Sequence, residues 1–174
     1  ISNINIAKKN VLNGYSSIFG VSVQNPESFG VIEFDENKNV IKISEKPKDV
    51  KSNIIVSGIY FYTNDVIKYA KNLKPSKRGE KEITDINNFY LSLKKLKLNL
   101  LSSDTSWIDT GTYSSLIKAS KYFENFEKKT GKKAACIEEI ALEMDYIDFE
   151  QLLRIANTMK NSEYGKYLLN IEVK

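Results

Sequence analysis

Through the first half of the chain, apolar residues come in short blocks separated by turn residues; through the last third they recur at helical spacing. The blocks at 17–23, 29–35 and 40–44 predict strands, broken by Gln24-Asn25-Pro26-Glu27 and Glu36-Asn37-Lys38-Asn39. The apolar and aromatic run at 54–62, interrupted by Ser57-Gly58, suits a strand buried on both faces, as in an α/β sheet. Residues 64–73 and 84–95 read as helices, and 96–101 alternates as a further strand. The opening residues 1–13 read as a polar segment ending at the Asn13-Gly14 turn signal, like the tail of an element begun upstream. Beyond 111 the pattern changes. Thr112 suits an N-cap, Leu116, Ala119, Phe123 and Phe126 share one helical side, and Gly131 can close the helix after Lys128 and Lys129. Residues 138–143 predict another helix. Asp148 with Gln151 three residues on is a capping-box pattern, followed by an apolar face of Phe149, Leu152, Leu153, Ala156 and Met159.

Composition narrows the chemistry more than the fold. The 174 residues suit one domain or a large piece of one. There is no His, which excludes a Ser-His-Asp triad, a Cys-His pair and a His-ligated metal. The single Cys136 excludes an intramolecular disulfide and a cysteine zinc cluster, and reads as a small buried apolar residue. What remains is carboxylates, Lys, Arg, hydroxyls, backbone amides or an oxygen-liganded metal. A net charge of +4, spread along the chain, gives no reason to expect a nucleic-acid partner. No apolar run approaches a membrane span of ~20 residues, so no membrane is expected, and a single Cys with no signal peptide at the start makes a reducing cytoplasm the default.

Four clusters can carry that chemistry. In Glu45-Lys46-Pro47, the proline disfavours helix at Lys46 and predicts an extended exit from a strand, with carboxylate and ammonium on opposite faces. One could hydrogen-bond sugar hydroxyls and the other a phosphate; the tripeptide also suits an exposed ion pair. Asp109, within Trp107-Ile108-Asp109-Thr110-Gly111-Thr112, suits either a Mg²⁺ ligand or a turn in which it accepts from nearby amides. Residues 78–85 read as a binding loop or as a helix start capped by Thr84. Gly30, after Phe29, either admits a ligand to the backbone or marks a bulge. Tyr60, Phe61 and Tyr62 read as core and sheet surface.

In order, these segments match one family. Phe-Gly-Val-Ile-Glu-Phe-Asp at 29–35, Glu-Lys-Pro-Lys at 45–48, Ser-Gly-Ile-Tyr-Phe-Tyr at 57–62, Pro-Ser-Lys-Arg-Gly-Glu with Glu-Ile-Thr-Asp-Ile-Asn across 75–87, and Trp-Ile-Asp-Thr-Gly-Thr at 107–112 carry the likeness. Ala-Cys-Ile-Glu-Glu-Ile-Ala at 135–141 and Tyr-Gly-Lys-Tyr-Leu at 164–168 extend it. From about Gly14 onward the sequence resembles the short bacterial glucose-1-phosphate thymidylyltransferases. The resemblance implies the C-terminal part of a nucleotidyltransferase fold, α/β with a Rossmann-like mixed sheet. Its sugar-binding part would span 1–111, and a helical region for assembly or regulation 112–174. It implies Mg²⁺-dependent transfer of a thymidylyl group from dTTP to glucose 1-phosphate, giving dTDP-glucose and pyrophosphate for deoxysugar biosynthesis, by a homotetramer. It implies that Lys46 binds the sugar phosphate, Glu45 the sugar hydroxyls and Gly30 the sugar through its backbone. Val56, Tyr60, Thr84 and Trp107 would shape the pocket, and Asp109 would be one of two metal-binding aspartates. The family's other aspartate and its Gly-x-Gly-Thr-Arg-Leu triphosphate loop are not in these 174 residues, and both are expected upstream of Ile1. The chain alone is therefore expected to be inactive. Ile137 and Glu143 depart from the family's usual Pro and Arg near its regulatory nucleotide site. The alternatives are a nucleotidyltransferase using another nucleotide such as UTP, and a non-catalytic fragment or assembly module.

Overall fold

A computed structural model describes residues 2–172; Ile1 and the last two residues, which the expected segments 1–111 and 112–174 include, lie outside the described residues. The chain divides into two compact units, with the break between Trp107 and Ile108.

The first unit opens with α1 (Ser2–Leu12), where a polar segment was expected. Only Ala7 among its described side chains is buried, so its sequence carries a weak apolar stripe. It is followed by β1 (Ser16–Ser22), β2 (Gly30–Phe34), β3 (Val40–Glu45), β4 (Ile54–Phe61), α2 (Val66–Asn72), α3 (Ile83–Ser92) and β5 (Leu96–Leu100). The strands form one sheet in the order β3-β2-β4-β1-β5. Its β1–β5 pair is parallel and the other pairs are antiparallel. Strand β1, flanked by β4 and β5, is buried along nearly its whole length. Alternation then sorts the strand residues onto two faces. Ile18, Ile32, Ile43 and Val56 form one apolar cluster, joined by Tyr60 and Leu98. Val21, Val31 and Ile55 form the other, joined by Phe29 and Trp107. The run at 54–62 is not buried on both faces throughout. Ile55 and Val56 are buried, but the register shifts opposite Ile18 and Gly20, and Gly58 (φ +89°) and Ile59 are exposed there.

The second unit is helical: α4 (Tyr113–Thr130), α5 (Ile137–Glu143), α6 (Phe149–Thr158) and α7 (Glu163–Leu169). The caps read from the sequence are formed. Thr112 and Ser115 make a capping box at α4, Gly131 ends it at φ 68°, and Asp148 and Gln151 make a second box at α6. Cys136, Leu152, Ala156 and Leu168 form the core. The last helix, α7, was not expected, because Gly165 sits inside it. The glycine is there for clearance: a Cβ would fall 2.0 Å from the Met159 carbonyl oxygen. Tyr164 donates to Glu138, Tyr167 donates to Glu139 at 2.5 Å, and the Cys136 thiol lies 3.2 Å from the Tyr164 hydroxyl, so α7 is tied to the start of α5 by polar contacts. Among the described residues no helix is long and apolar enough to cross a membrane.

Candidate functional site

The site grows from the end of the β2–β3 ladder. Gly30 pairs with Glu45 there, and α3 lies alongside. Thr84, in the first turn of α3, is buried, and its hydroxyl donates to Glu45 Oε2 at 2.6 Å. Thr84 is therefore not the helix cap; Glu82 takes that position, with no side-chain cap bond. Gly30 is not at the bulge in this ladder, which falls between Glu33 and Phe34. A Cβ on Gly30 would lie 3.3 Å from Thr84 Oγ1 and 3.4 Å from Glu45 Oε2. Its missing side chain leaves room for the hydroxyl–carboxylate pair.

The other Glu45 oxygen faces Arg78. The guanidinium is 3.5 Å from Glu45, 3.7 Å from Glu82 and 2.9 Å from Glu80. Among the described residues no ion pair joins Glu45 to Lys46, so the exposed-pair reading of this dipeptide gives way to Glu45 held by Thr84 and Arg78. Lys46 does not leave the strand extended: its φ is +42°, immediately before Pro47, while its N–H donates to the Phe29 carbonyl at 3.0 Å. A lysine in this left-handed region is strained, and such strain concentrates at functional sites. Its side chain is exposed.

Val56 and Tyr60 belong to the apolar cluster on this same face. The Tyr60 ring stacks on Tyr62 at 5.7 Å and 9°, and Tyr62 donates to Asn87 Oδ1 at 2.6 Å. Burial, and next the charge of Glu45, push the Tyr60 phenol above its ordinary pKa. Trp107 is placed elsewhere. It packs edge-on against Phe29 at 5.3 Å, within the cluster of Val31 and Ile55, and its Nε1 donates to the Ser57 carbonyl at 3.0 Å. Alternation along β4 puts Ile55 and Val56 on opposite faces. Gly30, Glu45, Val56, Tyr60 and Thr84 thus share one face, and Trp107 joins the other cluster. Asp109 belongs to the second unit. It is exposed, and its Oδ2 accepts from the Gly111 N–H at 3.2 Å. Arg78 and Asn88 (which bonds the backbone of β3) were not singled out from the sequence. Arg78 stood only inside a motif, and Asn88 has no motif at all.

Chemically, a half-buried carboxylate with one oxygen on a hydroxyl and the other near a guanidinium is fixed in orientation and still offers acceptor lone pairs. An exposed ammonium one residue away supplies positive charge. That combination suits a polyhydroxylated anion. For a metal, Asp109 offers a single carboxylate; among the described residues there is no group of three or more His, Cys, Asp or Glu placed to hold one. This fits Mg²⁺, which is held by one or two carboxylates with phosphate oxygens and water completing its shell.

The profile of the family described as Nucleotidyl transferase matches residues 4–125. A glucose-1-phosphate thymidylyltransferase of Neisseria meningitidis serogroup A is 42% identical over 156 residues, which is 90% of this chain and 54% of the relative. One from Xanthomonas campestris is 45% identical over 153 residues, 88% of this chain and 52% of the relative. A Bacillus anthracis crystal structure, assigned to glucose-1-phosphate thymidylyltransferase and holding sucrose, is 43% identical with a TM-score of 0.59. That similarity covers 68% of this chain and 48% of the other. The chain spans about half the length of the curated relatives it matches.

Proposed function

The chain belongs to the nucleotidyl transferase family and has its mixed α/β fold, and from that premise we propose that it is the sugar-binding part of a glucose-1-phosphate thymidylyltransferase. The reaction is attack by a phosphate oxygen of glucose 1-phosphate on the α-phosphorus of dTTP. The new P–O bond gives dTDP-glucose, and pyrophosphate leaves. Catalysis of this kind is positioning plus neutralisation of phosphate charge, so it needs no His. Lys46 takes the sugar phosphate. Glu45, oriented by Thr84 and Arg78, accepts from sugar hydroxyls. Gly30 presents its backbone to the sugar, while Val56 and Tyr60 line that face; Trp107, packed on Phe29 in the other cluster, acts on the pocket only through Phe29, the residue before Gly30. Asp109 is the ligand this chain gives to Mg²⁺. When bound, that ion would neutralise the transferring phosphates.

The 1–111 segment serves the sugar and 112–174 serves assembly, as a homotetramer in the cytoplasm. Exposed apolar residues on α4, with Tyr113 90% and Ile117 68% accessible, support the assembly role. The single observation that carries the reading is the joining of Gly30, Glu45 and Thr84, from three separate motifs, at one point. Two measurements test it on the 174-residue chain. Calorimetry is expected to show glucose 1-phosphate binding more tightly than inorganic phosphate, with Asp109→Asn leaving that preference intact. Pyrophosphate release from dTTP and glucose 1-phosphate with Mg²⁺ is expected to be absent, because these residues contain no Gly-x-Gly-Thr-Arg-Leu loop. No preference for the sugar phosphate would refute the sugar-binding role, and clear turnover would refute inactivity of the chain alone.

A further inference from the structure

Strand β3 ends the sheet order, so among the described residues one of its edges has no strand beside it. In an antiparallel ladder, alternate residues turn both main-chain groups toward the neighbour or away from it. The Lys46 N–H donates to the Phe29 carbonyl, which marks the inward-bonding positions. Residues Gly30↔Glu45 and Ile32↔Ile43 are the pairs between them, so Ile43 and Glu45 turn their N–H and C=O groups outward. The outward groups of Ile43 are met by one side chain. The Ile43 N–H donates to Asn88 Oδ1 at 2.9 Å, and Asn88 Nδ2 donates to the Ile43 carbonyl at 2.7 Å. A carboxamide here replaces both bonds a further strand would make.

Asn88 sits one helical turn after Thr84 on α3, which puts both on one side of the helix. Four helical residues rise about 6 Å, and two strand residues span about 6.6 Å. The two side chains therefore meet two β3 residues of the same parity: Asn88 takes the Ile43 backbone, and Thr84 takes the Glu45 carboxylate. Held only through its side chain, by Thr84 and Arg78, the carboxylate would still move with its strand. We propose that Asn88 is a positioning residue for the sugar site: it locks β3 against α3 and so fixes where Glu45 presents its carboxylate to a hexose phosphate. This rests on the sugar-binding reading of Glu45.

The test uses the whole 174-residue chain and Asn88→Ala, titrated separately with glucose 1-phosphate and with inorganic phosphate, and amide exchange measured at Ile43. With two neutral hydrogen bonds lost, glucose 1-phosphate binding is expected to weaken by about 3- to 10-fold. Affinity for inorganic phosphate, which does not use Glu45, stays within about twofold, and exchange at Ile43 quickens. Asn88→Asp keeps the acceptor for the Ile43 N–H and loses the donor; it is expected to fall between the two, and it stands in if Asn88→Ala no longer melts cooperatively. Unchanged glucose 1-phosphate affinity in the variants, despite faster exchange at Ile43, would overturn the positioning role while leaving the site intact. Equal weakening toward both ligands would also overturn it, since that is the effect of general loosening. If the unmutated chain itself fails to prefer glucose 1-phosphate over inorganic phosphate, the sugar site falls, and this proposal with it.

Discussion

Lys46 combines a strained backbone with an exposed charge, and the two can be separated by mutation. Lys46→Gly removes the left-handed penalty, about 1–2 kcal/mol for an L-residue, and removes the ammonium as well. It is expected to melt at the same temperature as the unmutated chain or slightly higher, while losing most of its affinity for glucose 1-phosphate. Lys46→Ala keeps the strain and should lose binding by roughly 1.5–3 kcal/mol, the scale of a charged hydrogen bond. Calorimetric titration alongside thermal melting checks both. If Lys46→Gly bound as tightly as the unmutated chain, the lysine would be irrelevant to the phosphate. The partners of Glu45 show why single residues were only half legible in the sequence. Its neighbour Lys46 was the visible candidate, but Thr84, which bonds it, lies 39 positions away, and only pairing of β3 with α3 brings them together.

Elements were read best where their signals are local. The capping boxes of α4 and α6 need only residues three apart, and the sequence shows both. Helix α7 was hidden because Gly165 lowers helix propensity, and the reason for the glycine is a tertiary contact with Met159. Gly165→Ala is therefore expected to destabilise the helical unit by at least the ~1–3 kcal/mol of ordinary overpacking, seen as a lower thermal midpoint, although alanine favours helices. A second test concerns alkaline pH. Burial, followed by the hydrogen bond to Glu139, pushes the Tyr167 phenol up to about 12, from an ordinary value of 10.0. The unfolded chain then loses this proton first, so between those values the unfolded state binds fewer protons than the folded one. The stabilisation is fully present below pH 10.0 and is lost as pH rises toward about 12. Tyr167→Phe should lower the midpoint at pH 8 and flatten the decline across that alkaline window. An unchanged slope in melts taken through the window would show that burial and the Glu139 bond together do not hold the Tyr167 phenol above its ordinary value.

At the scale of the whole chain, the distribution of exposed apolar surface is uneven. On α4 the shared side of Leu116, Ala119, Phe123 and Phe126 has Ala119 buried and Phe126 half-buried but leaves Leu116 and Phe123 50% and 46% accessible, and neighbouring Ile117 is 68% accessible. Ile117→Glu is expected to leave melting nearly unchanged and to lower the mass seen by light scattering. A monodisperse species of 19.9 kDa for the unmutated chain at micromolar concentration would defeat the assembly role of this helix. The sheet has its own asymmetry. At one end of the order, the Asn88 carboxamide occupies a donor and an acceptor of β3; at the other end, β5 has no strand beyond it among the described residues. A bare strand edge is a template for another chain, and natural proteins obstruct such edges to stay out of aggregates. Side-chain obstruction leaves the sheet with one usable edge. Copies that meet by strand addition are steered to β5 and away from β3, and two β5 edges laid against each other close a pair, so association through this sheet stops at two copies instead of growing into a fibre from Leu96–Leu100.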